Sequence, residues 1–376
     1  MSHSQLILLL EVQSARVRGS LVFTEKKDIP RIVYATEVEF SFHTEKGTPY
    51  HVDKTITAVE QVIHHCLRHI HGIEWSSHLP RSVDRVHYIL SSPWIISRAQ
   101  QISIGFNKDT KITLEKVSSI IANQRNDILP RGDTSFEIIE EKVFDVRLHG
   151  YRIEQWHGKK AKQLDISFAL SIAGTETIRR FRDACAHAVE SDAISFHSGL
   201  LLEHIAISHL VPQIKNYTII HVHGELTDVV EVKDGTCSVF GSFPLGSNTI
   251  VRTIGDELHI STEHADSSLS LYEHGQLDIH HARHIHTAIH RTQHAWSLQL
   301  ERVLNKDQSL SGLYRTIIIG AHTHETFFTD ALTSIPHHGR IEHLDLDMIK
   351  TKVHINTIQK TSRSTALYAI AIHSMQ

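Results

Sequence analysis

The sequence predicts a mixed α/β fold of two lobes, with an α+β unit inserted into the first lobe. Two distant stretches, residues 6–23 and 218–243, each read as an apolar strand, a short turn and a further strand. Between them, residues 98–190 form a strand and helix pattern of their own, and residues 315–332 read as a strand, a glycine turn and a helix. Strands and helices in this order indicate layers of sheet and helix around a common core.

Composition limits the class of protein. The chain has 376 residues, enough for about two to three domains, and its 40% apolar and 21% charged content is typical of globular proteins. A net charge of −4 gives no reason to expect a nucleic-acid partner. The three cysteines show no paired spacing, which favours a reducing, cytoplasmic location. The leucine-rich run at residues 6–10 is too short to span a membrane and predicts a buried strand.

Histidine is the compositional outlier, with 33 residues. They occur in predicted helices, strands and turns alike, which indicates a compositional bias more than one dedicated site. With a reference pKa of ~6.5, half of them would be charged at that pH, and the net charge would rise to roughly +12. We therefore expect solubility and association to depend on mild acidification.

The first subdomain is predicted at residues 1–97. Two strands meet at a turn around Gln13 and Ser14, and a third strand follows at 31–43. Apolar side chains at three- and four-residue steps then predict a helix with Asp53 as its N-cap. A short apolar strand ends at Pro93.

The rest of the chain divides into three predicted parts. Residues 98–190 form the inserted unit, 191–215 return to the first subdomain, and 216–376 form the second subdomain, with a helical insertion at about 261–310. Within the inserted unit, the segment "HGKKAKQ" reads as a basic turn between two strands.

Four segments carry a resemblance to a known family. They are "LEVQSARVRG" from Leu10, "IHVHGELTDV" from Ile220, "FPLG" from Phe243 and "IIGAHT" from Ile318. In this order they resemble the actin-like (ribonuclease H-like) superfold, and within it the FtsA cell-division proteins and their PilM pilus relatives. The inserted unit resembles the SHS2-type subdomain of those proteins.

The resemblance implies a remnant nucleotide pocket. Its positions in this chain are Glu11, Ser14, Gly224, Glu225, Thr227, Asp228 and Gly320. Thr227, Asp228 and Gly320 match the family pattern. Glu11 and His221 replace aspartates, while Gln13, His223 and Glu225 replace glycines of the phosphate loops.

These exchanges oppose standard ATPase chemistry. Glycine loops let backbone N–H groups approach phosphate oxygens, whereas larger side chains add bulk on that path. Glu225 also brings negative charge to a polyanion site. Mg²⁺ prefers oxygen ligands, so an imidazole at position 221 is a poor substitute. We therefore assign no catalytic residue, and ATP with Mg²⁺ at a degenerate site stays open as an alternative.

Several residues in this region have a second possible role. His221 is expected on a buried strand end, bonded to a neighbouring turn; together with His223 it could instead hold a softer metal such as zinc. Thr227 and Asp228 are either phosphate contacts or caps of the hairpin.

A second histidine cluster lies further along the chain. His286, His290 and His294 recur every four residues, a spacing that can bind a transition metal on a helix. The apolar stripe of Ile289 and Trp296 lies on the opposite face, so we expect these histidines to be solvated and assign no metal site.

The resemblance further implies a scaffold with protein partners. In FtsA these include a tubulin-like division filament, and in PilM the cytoplasmic tail of an inner-membrane protein. We expect Lys159, Lys160 and Lys162 to form a partner surface or to support self-association. The final apolar helix lacks a basic face, so we expect recruitment to the inner face of the membrane by partners, without direct insertion. Since the hairpin from His223 is closer to the FtsA pattern, we expect a divergent scaffold of the cell-division machinery. The alternatives are a PilM-like scaffold of type IV pilus assembly and a nucleotide-switched ATPase with an unorthodox site.

Overall fold

The described residues of the chain fold into three sheets with helices packed on them, which confirms the mixed α/β class predicted from the sequence. The computed structural model describes residues 4–25, 28–40, 47–72, 79–128, 134–153, 155–304, 315–320, 325–335, 340–343, 346–355 and 362–375. The strands are β1 (Gln5–Val12), β2 (Arg16–Thr24), β3 (Arg31–Glu39), β4 (Arg85–Leu90), β5 (Ile96–Lys111), β6 (Phe136–Leu148), β7 (Tyr151–Arg152), β8 (Lys160–Gly174), β9 (Ile194–Ser198), β10 (Tyr217–Val222), β11 (Thr227–Lys233), β12 (Thr236–Phe243), β13 (Arg315–Gly320), β14 (Arg340–His343) and β15 (His354–Ile355). The helices are α1 (Gly47–Ile70), α2 (Leu114–Ile128), α3 (Thr175–Cys185), α4 (Gly199–Leu210), α5 (Ser247–Leu258), α6 (Thr262–Glu273), α7 (Ile279–Leu304), α8 (Glu325–Thr333), α9 (Leu346–Lys350) and α10 (Arg363–Ser374).

The first sheet has the order β15-β3-β2-β1-β4-β9. Strand β1 lies inside it, antiparallel to β2 and parallel to β4. The leucine-rich run, Leu6–Leu10, is buried because both faces of this strand are covered. The prediction of a buried strand here is confirmed.

The second sheet repeats the arrangement of the first. Its order is β12-β11-β10-β13-β14, with β10 antiparallel to β11 and parallel to β13. Strand β10 therefore corresponds to β1. The turns after β1 and after β10 consequently lie at equivalent places in the two lobes.

One apolar core joins the two lobes. Helices α4 and α10 contribute to a single cluster that also contains Ile7 of β1, Ile219 of β10 and Ile317 of β13. Almost the whole surface of α10 is buried. A helix that is apolar on all sides needs neighbours on all sides, and a position between two sheets provides them.

The end of the described chain returns to the first lobe. Strand β15 pairs in parallel with β3, and α10 packs on α4 and β1. The assignment of all of 216–376 to the second subdomain stays a prediction. The apolar helix α10 packs in the core shared by the two lobes.

The inserted unit has its own sheet, of order β5-β8-β6-β7, and a small core that includes Val117 and Ile121 of α2. Helix α3 does not belong to it. Phe181 packs in the core of the first lobe, where its ring stacks on that of Tyr88 at 5.2 Å. The predicted range of 98–190 and the resemblance to an SHS2-type subdomain both stay predictions.

Two local predictions were wrong. Asp53 does not cap α1, which begins at Gly47; the side chain lies within the helix, and its carboxylate pairs with Arg180 at 2.8 Å. Proline is tolerated in a first helical turn, so Pro49 does not prevent this earlier start. The basic turn ends at Lys159, because the next residues, from Lys160, already pair with β5.

None of the helices in the described ranges combines the length and the apolar character that crossing a bilayer requires.

Gly19 gives a test of the packing between β2 and α1. A Cβ added at this position would lie 2.3 Å from Cγ1 of Val62 and 3.0 Å from Sγ of Cys66. We expect Gly19→Ala to lower the free energy of unfolding by about 1–3 kcal/mol, the usual effect of overpacking a core. Urea denaturation measures it. In the control Gly105→Ala, the added Cβ has nothing within 4 Å; equal stability of the two variants would contradict the packing described here.

Candidate functional site

The two turns expected to bind phosphate contact each other. The backbone N–H of Glu225, after β10, donates to Oγ of Ser14, after β1, at 3.2 Å. A Cβ at Gly224 would lie 2.9 Å from Cβ of Ala15, so this close approach requires glycine. Gln13, Ser14 and Glu225 are 3%, 1% and 6% exposed. The place where the resemblance puts a polyphosphate is filled by the turns themselves.

Glu225 is held by the helix that follows the hairpin. Its carboxylate accepts hydrogen bonds from Nδ2 of Asn248 at 2.8 Å and from Nη1 of Arg252, which lies 2.7 Å from Oε2. The first backbone N–H groups of α5 donate to the carbonyls of His223 and Gly224. A protein carboxylate and two protein carbonyls therefore occupy the start of this helix, where an anion would otherwise bind.

Gly246 makes this arrangement possible. A Cβ at this position would lie 2.4 Å from the carbonyl oxygen of His223 and 2.5 Å from that of Gly224. The glycine of the "FPLG" segment thus lets α5 approach the turn after β10. The sequence did not identify Asn248 and Arg252. Their positions in the first and second turns of the helix that follows this segment were the signal that could have placed them near the turn.

His221 forms an ion pair that crosses between the lobes. Its Nδ1 lies 2.5 Å from Oε1 of Glu203 on α4, and the same oxygen accepts a hydrogen bond from the hydroxyl of Tyr368 on α10 at 2.8 Å. Burial lowers the pKa of His221, but the carboxylates of Glu203 and Glu11 outweigh it, and the pKa is raised. His221 lies buried on its strand as expected, and its partner is a helix carboxylate in place of a turn.

Glu11 is neutralised by a protein cation. Its carboxylate lies 3.3 Å from Nη1 of Arg18 and accepts hydrogen bonds from Nε2 of Gln13 at 2.5 Å and from Oγ of Ser364 at 3.0 Å. Burial raises the pKa of Glu11, yet the charges of Arg18, His221 and Arg16 together with the hydrogen bond from Ser364 outweigh it, and the pKa is lowered. Gln13, which replaces a family glycine, thus stabilises this carboxylate.

His223 and Asp228 form a second pair. Nε2 of His223 lies 3.0 Å from Oδ2 of Asp228, which also accepts a hydrogen bond from the backbone N–H of Ser92 in the first lobe at 3.1 Å. The rings of His221 and His223 stack at 4.0 Å. Burial and the positive His221 lower the pKa of His223. The two pKa values of the stack are therefore shifted in opposite directions, that of His221 towards the protonated form and that of His223 towards the neutral form.

The remaining predicted residues have structural partners. Thr227 donates its hydroxyl to the carbonyl of Leu245 at 2.6 Å and accepts from Nε1 of Trp296 at 2.9 Å. Gly320 ends β13 opposite Val222, at the same edge of the sheet. The two residues that follow it, at 321 and 322, lie outside the described residues.

The structure thus brings Glu11, Ser14, Gly224, Glu225, Thr227 and Asp228 together, each engaged with protein groups. Within the part of the chain that the structure describes, no three or more His, Cys, Asp or Glu side chains are grouped as metal ligands. A cavity of about 350 Å³ lies beside Asp228, lined also by Ser92, Phe240 and Ser242. Lys159, Lys160 and Lys162 are exposed on the inserted unit, which contributes none of the residues that fill the cleft.

Three buried histidines predict sensitivity to acid. Burial lowers the pKa of His87 to about 3 and that of His204 to about 4, and the pKa of His223 is lowered as well. Because an unfolded histidine titrates near ~6.5, the unfolded state binds more protons below that pH. Their contribution to stability is complete above pH ~6.5 and is lost as the pH falls. His221 acts oppositely, and its contribution is lost as the pH rises through its raised pKa.

We expect the free energy of unfolding to fall by about 2 kcal/mol for each of His87 and His204 between pH 7.5 and 5. Urea denaturation at constant ionic strength measures this. His204→Gln should reduce the pH dependence, whereas His264→Gln on the exposed surface of α6 should leave it unchanged. A stability that stays constant across this range would contradict the neutral, buried state of these histidines.

No protein-family model matches the sequence, and a search of curated proteins found no match. Solved structures do match. The chain is similar to a structure of the PilM–PilN type IV pilus biogenesis complex, with a TM-score of 0.65 and 12% identity over 98% of this chain and 96% of that one. It is also similar to the ethanolamine utilization protein EutJ from Carboxydothermus hydrogenoformans, with a TM-score of 0.45 and 12% identity over 99% and 89% of the two chains. A third similar structure is that of a Bacteroides thetaiotaomicron protein with an actin-like ATPase fold and unknown function. Its TM-score is 0.39, with 11% identity over 98% of this chain and 96% of that one.

The likeness at a TM-score of 0.65 covers nearly all of both chains. It supports the actin-like fold and does not single out FtsA. The protein therefore has the two-lobe, actin-like fold that the sequence predicted.

Proposed function

We propose that this protein is an actin-like scaffold of a membrane-associated assembly and that it does not turn over ATP. The contact between Ser14 and Glu225 carries this proposal, because it closes the path that a polyphosphate would need. The carboxylate of Glu225 already engages the guanidinium of Arg252. A nucleotide would have to separate these groups before it could bind.

The metal chemistry of phosphoryl transfer also lacks its usual groups. Mg²⁺ in such sites is held by carboxylate and phosphate oxygens that remain free to coordinate it. Here the carboxylate of Glu11 is engaged by Arg18, and that of Asp228 by His223 and the backbone of Ser92. The raised pKa of His221 favours a protonated imidazole in the cleft, where a metal ion would otherwise be needed.

Two roles fit a scaffold of this kind. The similarity to the PilM–PilN complex supports a pilus-type role, in which the partner is the cytoplasmic tail of an inner-membrane protein. The hairpin at residues 223–235 is closer to the FtsA pattern and supports a division-type role, with a tubulin-like filament as partner. In both roles the protein is cytoplasmic and reaches the inner face of the membrane through its partners.

The inserted unit provides a candidate partner surface. Lys159, Lys160 and Lys162 are exposed, and Lys160 lies directly opposite Lys111 across the strand pair β5–β8. Like charges at directly opposed positions are unfavourable, so an acidic partner would relieve this repulsion. We assign this surface to partner docking or to self-association.

The first test concerns ATP. We expect no Mg-ATP hydrolysis above background and no ATP-dependent rise in melting temperature, because the phosphate path and the carboxylates are occupied. Phosphate release and thermal denaturation with purified protein measure this. Turnover that Asp228→Ala abolishes would overturn the scaffold and establish the unorthodox ATP switch in its place.

The second test concerns the basic surface. Changing Lys159, Lys160 and Lys162 to Glu should weaken partner capture or self-association, with stability changed by no more than about 0.5 kcal/mol. The control changes Lys54, Lys350 and Lys352 to Glu, which alters the net charge equally at exposed sites elsewhere. Sedimentation and pull-down compare the two variants. Equal association of both would remove this surface from the proposal.

A further inference from the structure

Helix α7 presents a face of histidines that the scaffold proposal does not use. His280, His284, His286, His290 and His294 are all exposed. The opposite side of α7, with Ile285, Ile289, Trp296 and Leu300, is buried in the core of the second lobe. The imidazoles therefore have no role in packing and are accessible from solvent.

His286 and His290 have the sequence spacing of a chelating pair. They lie one helical turn apart, and their ring centroids are 4.3 Å from each other, with an angle of 86° between the rings. Two histidines at i and i+4 on one helix face can direct one ring nitrogen each at a single ion. Imidazole nitrogen suits Zn²⁺, Cu²⁺ and Ni²⁺ better than Mg²⁺ or Ca²⁺.

Tyr272 of α6 orients the first ligand. Its hydroxyl oxygen lies 3.0 Å from Nδ1 of His286. When Nδ1–H donates to this oxygen, Nε2 carries the lone pair that a metal needs. A partner on the second ring nitrogen is a regular feature of metal-binding histidines, because it fixes the tautomer and the ring orientation.

The neighbouring pair, His280 and His284, is set wider. Its ring centroids are 5.3 Å apart, and Nδ1 of His284 lies 3.3 Å from Glu257, whose other oxygen pairs with Arg291 at 3.5 Å. The shorter separation of His286 and His290 makes that pair the better candidate for sharing one ion.

We propose that His286 and His290 form a two-ligand site for a divalent transition-metal ion, with Zn²⁺ as the probe and solvent completing the coordination. Such a site is open, since the protein supplies two ligands of the four that zinc usually takes. It is separate from the cleft and independent of whether the protein is a scaffold.

Zinc competition with a chromophoric chelator tests the site. His286→Ala/His290→Ala should bind about one equivalent of Zn²⁺ less than the unmodified protein. The control, His264→Ala/His274→Ala, removes an exposed histidine of α6 and the exposed histidine that follows this helix; the two lack the four-residue spacing, and this variant should keep that equivalent. Alanine favours helix, so circular dichroism should be unchanged in both variants.

Two further measurements identify the ligands. Electron paramagnetic resonance of the first bound equivalent of Cu²⁺ should show two imidazole nitrogens, and this signal should be absent from the double variant. Tyr272→Phe should lower the affinity for Zn²⁺ by about tenfold. This is the lower end of the loss in metal affinity that follows removal of a side chain that orients a ligand. The proposal is overturned if the double variant binds as much Zn²⁺ as the control with the same affinity, or if the unmodified protein binds none.

Discussion

The buried ion pair between His221 and Glu203 is the interaction on which the cleft depends. It joins β10 of one lobe to α4 of the other, and Tyr368 of α10 binds the same carboxylate. Burying two charges costs several kcal/mol in lost hydration, which their mutual attraction and the hydrogen bond from Tyr368 must offset. Breaking such a pair typically costs about 3–5 kcal/mol, since the remaining charge is left uncompensated. The pair thereby fixes the two lobes to each other at this point.

Around this pair, charges alternate along the cleft. Arg18 lies against Glu11, Glu11 is near His221, and beyond Glu203 the second pair of His223 and Asp228 reaches the backbone of the first lobe. In a nucleotide-binding relative, phosphates and a metal ion would supply charges of both signs between the turns. Here side chains supply both signs. The residues that depart from the family motifs are therefore compatible with one another. Each ionisable side chain among them has an oppositely charged type of side chain within 3.3 Å; these residues are Glu11, His221, His223 and Glu225.

The sequence predicted the central strands well, because apolar runs such as Leu6–Leu10 need no distant information. It also located both turns, since each follows such a strand. It did not identify Glu203 or Tyr368, which reach the cleft from helices whose apolar composition predicts only burial. The placement of α3 was also missed, because the pattern of an amphipathic helix does not say which neighbouring surface it covers. Local sequence patterns thus predicted the strands and the two turns of the site. The side chains that reach these turns from distant parts of the chain could be identified only in the structure.

The hydroxyl of Ser364 that binds Glu11 comes from a residue 353 positions further along the chain. Together with β15 and α10, it means that the first lobe is completed by a segment synthesised long after that lobe begins to form. During translation, β1 leaves the ribosome without the helix that covers one of its faces, and Glu11 lacks part of its hydrogen-bonding shell. Contacts of such sequence separation slow folding and leave apolar surface exposed in the meantime. The nascent first lobe is consequently a natural substrate for chaperones until α10 has been made.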